Sequence, residues 1–447
     1  MESMARIRRS WVKVARSEPL SGAYFWLLVF YFIYCARPEA WVLALTILPI
    51  AKISGLFALL ALLLSFGSSK RSLRSLPREI YYLLALDGYL MVGALFSPAW
   101  KGGAVTHTLD FSKALVAIVV TLLAVTSLAR LRRLVFVQTG SVVLISAISI
   151  VKGHGTFRLQ SVINGIWGNP NDLAFGIAIT LPFCLAFMLV TSNFVKKAAW
   201  ASAMLIATTA LMLTASRAGA ITLAVVAVFC LWRFGIKGRR PLLLVSAVVV
   251  VALLFLFAGN ALQQRFIAIG GEDITTAGQQ KAHGSYEQRR LLILGGLQLM
   301  KQYPIFGLGA GNYGNFSGTW QDVHVTYLQI GVEGGVPALI LFLMYFWRGF
   351  ANLRRVRRKP NLDPETGLFA DAVYASLLAF VVGALFAPEA YQYFPLFSVA
   401  YTSVLLAIVQ EAPAPAEAVQ AAVPKRPWRH VSVYTGARKE ELAGRAH

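Results

Sequence analysis

Twelve separate stretches of this chain are apolar enough to sit in a lipid bilayer, and they constrain its fold more than any other feature. A spanning helix needs about 20 mainly apolar residues, because it rises about 1.5 Å per residue and must satisfy its own backbone. The stretches lie at about 21–36, 41–66, 80–97, 109–129, 134–151, 171–191, 198–215, 218–234, 241–258, 324–347, 367–387 and 394–410. The second holds Pro49 and Lys52 and is expected to be broken or tilted. The sixth holds Pro182, tolerable where neighbouring helices re-satisfy the freed carbonyl. Composition agrees. The 447 residues are 57% hydrophobic and 14% charged, against about 25% charged in an ordinary soluble domain. That excludes a water-soluble enzyme with a normal surface, and equally a disordered chain. The expected fold is all-α, a polytopic integral membrane protein of about twelve transmembrane helices.

The net charge of +22 does not point to nucleic acid, because the cations sit in short runs between apolar stretches. Such runs follow the positive-inside rule. Thirty of the 42 Lys and Arg lie in the N-terminus, 70–78, 130–133, 196–197, 233–240, 348–359 and the C-terminus. Ten lie on the other side: Arg37, Lys101, Lys152, Arg158, Arg217, Arg265, Lys281, Arg289, Arg290 and Lys301. This asymmetry predicts both termini in the cytoplasm, as an even number of spans requires. Cys35, Cys184 and Cys230 lie in or beside apolar stretches, with neither disulfide nor zinc spacing.

Two outward-facing loops stand out, about 152–171 and 259–323. The longer is expected to be a folded extracytoplasmic cap, since connections of that length are functional or disordered. Ser285 and Gln288 have capping-box spacing, an apolar-rich run follows to Tyr303, and Pro304 stops it. The turn Gly307-Leu308-Gly309-Ala310-Gly311 comes next. Residues 1–410 are thus read as one transmembrane domain that includes the 259–323 loop. Residues 411–447 are read as a basic, flexible cytoplasmic tail behind an Ala-Pro linker.

Several side chains could carry chemistry. His324, where the long loop meets the tenth span, fits an interfacial histidine bonded to a loop carbonyl, and equally a general base. His107, His154 and His283 lie in other loops. Arg217, between two spans with almost no connection, fits either snorkelling to headgroups or anion binding. Arg289 and Arg290 fit a solvated surface pair or a phosphate fork. Gly168-Asn169-Pro170-Asn171-Asp172 reads as a turn and helix cap. No Asp/Glu/His set has ligand spacing, so no catalytic metal is expected. Glu333, a carboxylate inside a span, is expected to face the bundle interior, with Gly331, Gly334 and Gly335 permitting close helix packing.

Taken in order, Arg158, then Gly168-Asn-Pro-Asn-Asp-Leu-Ala, Thr214-Ala-Ser-Arg-Ala-Gly and Ser285-x-x-x-Arg-Arg resemble the O-antigen ligase/polymerase superfamily. Pro304-x-x-Gly-x-Gly-x-Gly-Asn and His324-x-x-Tyr-Leu-Gln-x-x-x-Glu-x-Gly continue the likeness, which covers roughly 150–345. The resemblance implies a GT-C-like membrane glycosyltransferase of the bacterial inner membrane, working at its periplasmic face. The implied reaction moves a glycan from an undecaprenyl-diphosphate carrier to an acceptor hydroxyl, in ligases that of lipid A–core oligosaccharide. It is inverting, metal-independent and without cofactor. The implied base is His324. The implied diphosphate clamp is Arg217 with Arg290, Arg289 being the rival one residue away, and Arg158 assisting. Two departures stand out. Val325 follows His324 where the family often has Asn, and Pro337 replaces a small residue. A repeat-unit polymerase or a protein O-oligosaccharyltransferase would use the same residues. The non-enzyme alternative is a transporter, whose paired repeats and midplane site the sequence does not display.

Overall fold

The computed structural model describes residues 19–68, 71, 76–153, 158–159, 169–241, 277–319 and 321–411. Its elements, in chain order, are helices. They are α1 (Ser21–Ala36), α2 (Ile50–Leu64), α3 (Arg78–Leu95), α4 (Lys101–Ala124), α5 (Leu128–Lys152), α6 (Pro170–Val190), α7 (Phe194–Leu213) and α8 (Arg217–Cys230). Then follow α9 (Ala277–Gln302), α10 (Tyr313–Ser317), α11 (Thr326–Arg357), α12 (Pro364–Gly383) and α13 (Tyr393–Glu411). No strand occurs among the described residues.

Seven of these helices are long and apolar enough to cross a membrane: α4, α5, α6, α8 with its π-helical continuation to Ile236, α11, α12 and α13. Helices α1 and α2 are apolar but shorter. The chain is therefore a helical, polytopic membrane protein. The second stretch is broken as Pro49 suggests: a 3₁₀ turn at Leu43–Leu45 precedes α2, which starts one residue after the proline. The ninth stretch from residue 242 on, the tail from residue 412 and the part of the long loop before Ala277 lie outside the described residues.

Capping side chains set the helix starts. Asn169 accepts the backbone N–H groups of Asn171 (2.8 Å) and Asp172 (3.1 Å), with Pro170 at the first helical position of α6. Ser216 caps α8 through the Gly219 N–H (3.2 Å). Each satisfies amides a helix start would leave orphaned. Helix α6 is apolar on every face, and every residue from Leu173 to Phe187 is buried. It packs against α5, α7, α8 and α12. At the α6–α8 crossing, a Cβ on Gly219 would stand 2.6 Å from that of Ala174, so only glycine allows this approach.

One expectation fails at α9. The helix begins at Ala277, so Ser285 lies well inside it and is not a cap. Residues 277–283 are mostly Ala, Gln and Lys, good helix formers that carry the helix upstream past the capping-box spacing. Its end, at Gln302 before Pro304, is where the proline places it.

Helix α11 is bent. Gly335 has φ 78° and ψ 177°, and Pro337 follows. Proline has no N–H for the Glu333 carbonyl, and the Val336 N–H turns away to the Pro304 carbonyl (2.8 Å). The carbonyls of Val332 and Glu333 are thereby released. The first accepts the Leu308 N–H (2.9 Å) and the second the Gly309 N–H (2.8 Å). The glycine-rich turn thus plugs into the bend and restores every hydrogen bond it cost. Gly307, Gly309 and Gly311 all have positive φ, the backbone that lets the turn lie flat on the helix.

Candidate functional site

Residues that are distant in sequence gather near the ends of α6, α7, α8 and α11 and the middle of α9. Arg158 is hung from the end of α7: its Nε donates to the Thr214 carbonyl (2.9 Å) and its Nη2 to Asn171 Oδ1 (3.2 Å). The Leu159 N–H donates to the Leu213 carbonyl (2.9 Å). These bonds use carbonyls that a helix C-terminus leaves open. The Ser216 hydroxyl also donates to Asn171 Oδ1 (2.9 Å), so one amide oxygen ties the start of α6 to Arg158 and to the cap of α8. Between α7 and α8 the chain turns on Ala215, buried at φ 49°. A left-handed alanine costs on the order of 1 kcal/mol. The turn it makes leaves Arg217 as the first residue of α8.

A cation at a helix N-terminus opposes the macrodipole and costs about 0.3–1 kcal/mol. The same N-terminus with a guanidinium attached suits an anion. Arg289, on α9, lies within electrostatic reach of Arg217: burial pushes the Arg289 guanidinium down, and Arg217 adds to that. Arg158 is pushed down to about 10, first by burial and then by Arg289 and Arg217. Three guanidinium groups therefore share one region, and Arg158 feels the charge of both others.

His324 faces the same cluster. Its pKa is lowered, chiefly by burial and then by Arg289, while the Asp322 carbonyl and carboxylate work in the opposite sense. Nδ1 lies 2.9 Å from the Asp322 carbonyl oxygen. A carbonyl only accepts, so Nδ1 holds the proton and Nε2 is left as the basic nitrogen. The carbonyl contact expected of an interfacial histidine and the tautomer needed for a base are one and the same bond. Asp322 is pushed up by burial despite His324 and His107, whose ring packs against Gly311.

Of the five sequence-derived site residues, the structure brings together Arg158, Arg217, Arg289 and His324. Arg290 points elsewhere: it is exposed and its nearest carboxylate is that of Glu287, one turn back (3.7 Å). Successive residues on a helix point about 100° apart, so only one of the two arginines can face the cluster. Of the two, Arg289 is half-buried and Arg290 is exposed. Glu333 is wholly buried; its carboxylate accepts the Gly311 N–H (3.0 Å) and the Tyr313 N–H (3.2 Å). Sequence reasoning missed Asn171 and Tyr313. Asn171 had a usable signal, since it lies in the same motif run as Arg158 and Arg217. Among the described residues no group of three or more His, Cys, Asp or Glu is arranged to hold a metal ion.

No curated protein matches the sequence. A family model does: residues 201–343, from α7 through the bend of α11, match the family described as O-antigen ligase. Arg217, Arg289 and His324 all fall inside that segment, over which the chain is similar to that family.

Proposed function

We propose that the protein is a glycosyltransferase of the bacterial inner membrane that transfers a glycan from undecaprenyl diphosphate to a hydroxyl of lipid A–core oligosaccharide, at the periplasmic face. The observation that supports this reading is the mutual proximity of Arg158, Arg217 and Arg289, with Arg289 also within electrostatic reach of His324. Clustered guanidiniums suit a diphosphate, which repays their mutual repulsion and offers oxygens for bidentate forks. As the bond between the anomeric carbon and the phosphate oxygen breaks, negative charge develops on the leaving diphosphate, and the fixed cations stabilise it. His324 Nε2 takes the proton of the acceptor hydroxyl as that oxygen attacks the opposite face of the anomeric carbon, inverting it. Residues 1–410 would form the catalytic domain, GT-C-like, with about twelve spans once 241–258 is counted, and 411–447 a cytoplasmic tail.

The test is transfer by purified full-length protein from a defined undecaprenyl-diphosphate glycan, with and without chelator. Lipid A–core, carrier-linked glycan and a pilin-type protein are offered in turn as acceptors. His324→Ala is expected to lose at least about a hundredfold in rate, and Arg289→Ala on the order of a hundredfold. Arg290→Ala, which removes only an exposed ion pair, is expected to stay within about fivefold. Full transfer by His324→Ala sinks the base assignment. Transfer only to carrier-linked glycan or only to protein makes the enzyme a polymerase or a protein glycosyltransferase instead.

A further inference from the structure

Glu333 takes no part in the chemistry outlined above, yet it is wholly buried and holds two backbone N–H groups of the glycine-rich turn and the helix after it. Its two carboxylate oxygens receive the N–H groups of Gly311 and Tyr313 at 3.0 and 3.2 Å. Tyr313 opens the short helix α10, whose first amides have no helical partner. A carboxylate accepting two backbone N–H groups is a strong, charge-assisted contact. The Tyr313 ring is 1% exposed, and its hydroxyl donates to the Leu292 carbonyl of α9 at 2.8 Å. Leu292 is three residues, just under one turn, from Arg289.

A continuous chain of contacts thus runs from α11 through Glu333 and Tyr313 to the turn of α9 that presents Arg289. The same helix α11 begins two residues after His324. Helix α9 also packs on α11. Its apolar contacts form a small cluster of their own, around Leu292, Leu308, Tyr313, Val323, Leu328 and Val332, apart from the main core. The guanidinium it carries is repelled by Arg217 and Arg158, so the helix needs a hold that offsets this.

We propose that Glu333 and Tyr313 are positioning residues: they form a latch that seats α9 and thereby sets Arg289 at a fixed place relative to His324. The inference rests on the reading of Arg289 as part of the donor clamp, and it adds residues that touch neither substrate nor reacting atoms. It also gives the paired motifs Gly-x-Gly-x-Gly-Asn and Glu-x-Gly one shared task, the first supplying the N–H groups and the second the carboxylate and the bend.

The experiment uses the full-length protein and two readouts. The first is tryptic cleavage after Arg289 and Arg290, which reports the seating of α9 without any catalysis. Tyr313→Phe deletes one hydroxyl and keeps the ring, and it is expected to speed that cleavage; Glu333→Gln, which leaves one amide facing an NH₂ group, is expected to do the same. The second is a double-mutant cycle on transfer. Tyr313→Phe is expected to slow transfer about five- to tenfold, the worth of one hydrogen bond. It should slow it equally in the Arg290→Ala background, and no further in the Arg289→Ala background. Unchanged cleavage in Tyr313→Phe overturns the latch, as does an undiminished further loss on top of Arg289→Ala. Should Glu333→Gln fail to fold, Tyr313→Phe decides alone. Full transfer by Arg289→Ala would sink the clamp rather than the latch, and cleavage would then still settle whether the two residues seat α9.

Discussion

His324 owes its proposed role to a single contact, from Nδ1 to the Asp322 carbonyl oxygen at 2.9 Å. That contact fixes the tautomer, and burial with Arg289 keeps the ring neutral. The sign of the pH dependence follows. The active form is the deprotonated one, so transfer should fall only on the acid side, below the ordinary histidine value of about 6.5. Removing Arg289 removes a cause of the depression, so in Arg289→Ala the titration of His324 should move to higher pH. Asp322→Asn removes a group acting in the opposite sense and should move it lower. Because Arg289→Ala is expected to be poorly active, the check is the pH profile of diethylpyrocarbonate modification at His324, mapped by mass spectrometry. A profile unmoved by Arg289→Ala would mean that the guanidinium does not face the imidazole. At this scale the sequence was legible only in part. It offered Arg158, Arg217 and His324 as candidates by residue type and place, and left open whether Arg289 or Arg290 turns inward. Neighbours on a helix differ by direction alone, and direction is set by packing against α11.

Among the elements, α11 is the one whose shape the site depends on. Its bend exists because Pro337 cannot donate and Gly335 can adopt φ 78°. A Cβ on Gly335 would stand 1.8 Å from the Ile305 carbonyl oxygen. Gly335→Ala is therefore expected to expel the glycine-rich turn and to cost about 3 kcal/mol or more, through strain and lost hydrogen bonds. Thermal unfolding in detergent checks this, and an unchanged midpoint would contradict the account of the bend. The proline announced a kink in the sequence, and the three spaced glycines announced a turn. That the two interlock was not legible, because the exchanged hydrogen bonds join residues about 25 apart. The capping-box spacing at Ser285 misled for the opposite reason: a local signal was overridden by a longer run of good helix formers.

For the whole molecule, hydropathy carried the most information. Eleven of the twelve apolar stretches coincide with helices, and the remaining one lies outside the described residues from 242 on. A span is a local property, set by about 20 consecutive residues, and so it survives without knowledge of packing. The centrality of α6 was not legible, since a helix apolar on all sides can face lipid as well as protein. Orientation rests on the charge bias of thirty against ten. It predicts that a green fluorescent protein fused after residue 447 is fluorescent and that a periplasmic alkaline phosphatase fused there is inactive. The reverse pattern would turn the arginine cluster to the cytoplasm and remove the proposed periplasmic chemistry with it.

The exchange of hydrogen bonds between the Gly307–Gly311 turn and the bend in α11 also bears on how such proteins can be recombined. A chimera that transplants the outer loop onto a foreign helix without its glycine–proline pair would find no open carbonyls to receive it. The reciprocal graft would strand two acceptors in a dry interior. Loop and helix are a single heritable module, and swaps that aim to retarget the enzyme should cut outside residues 304–337.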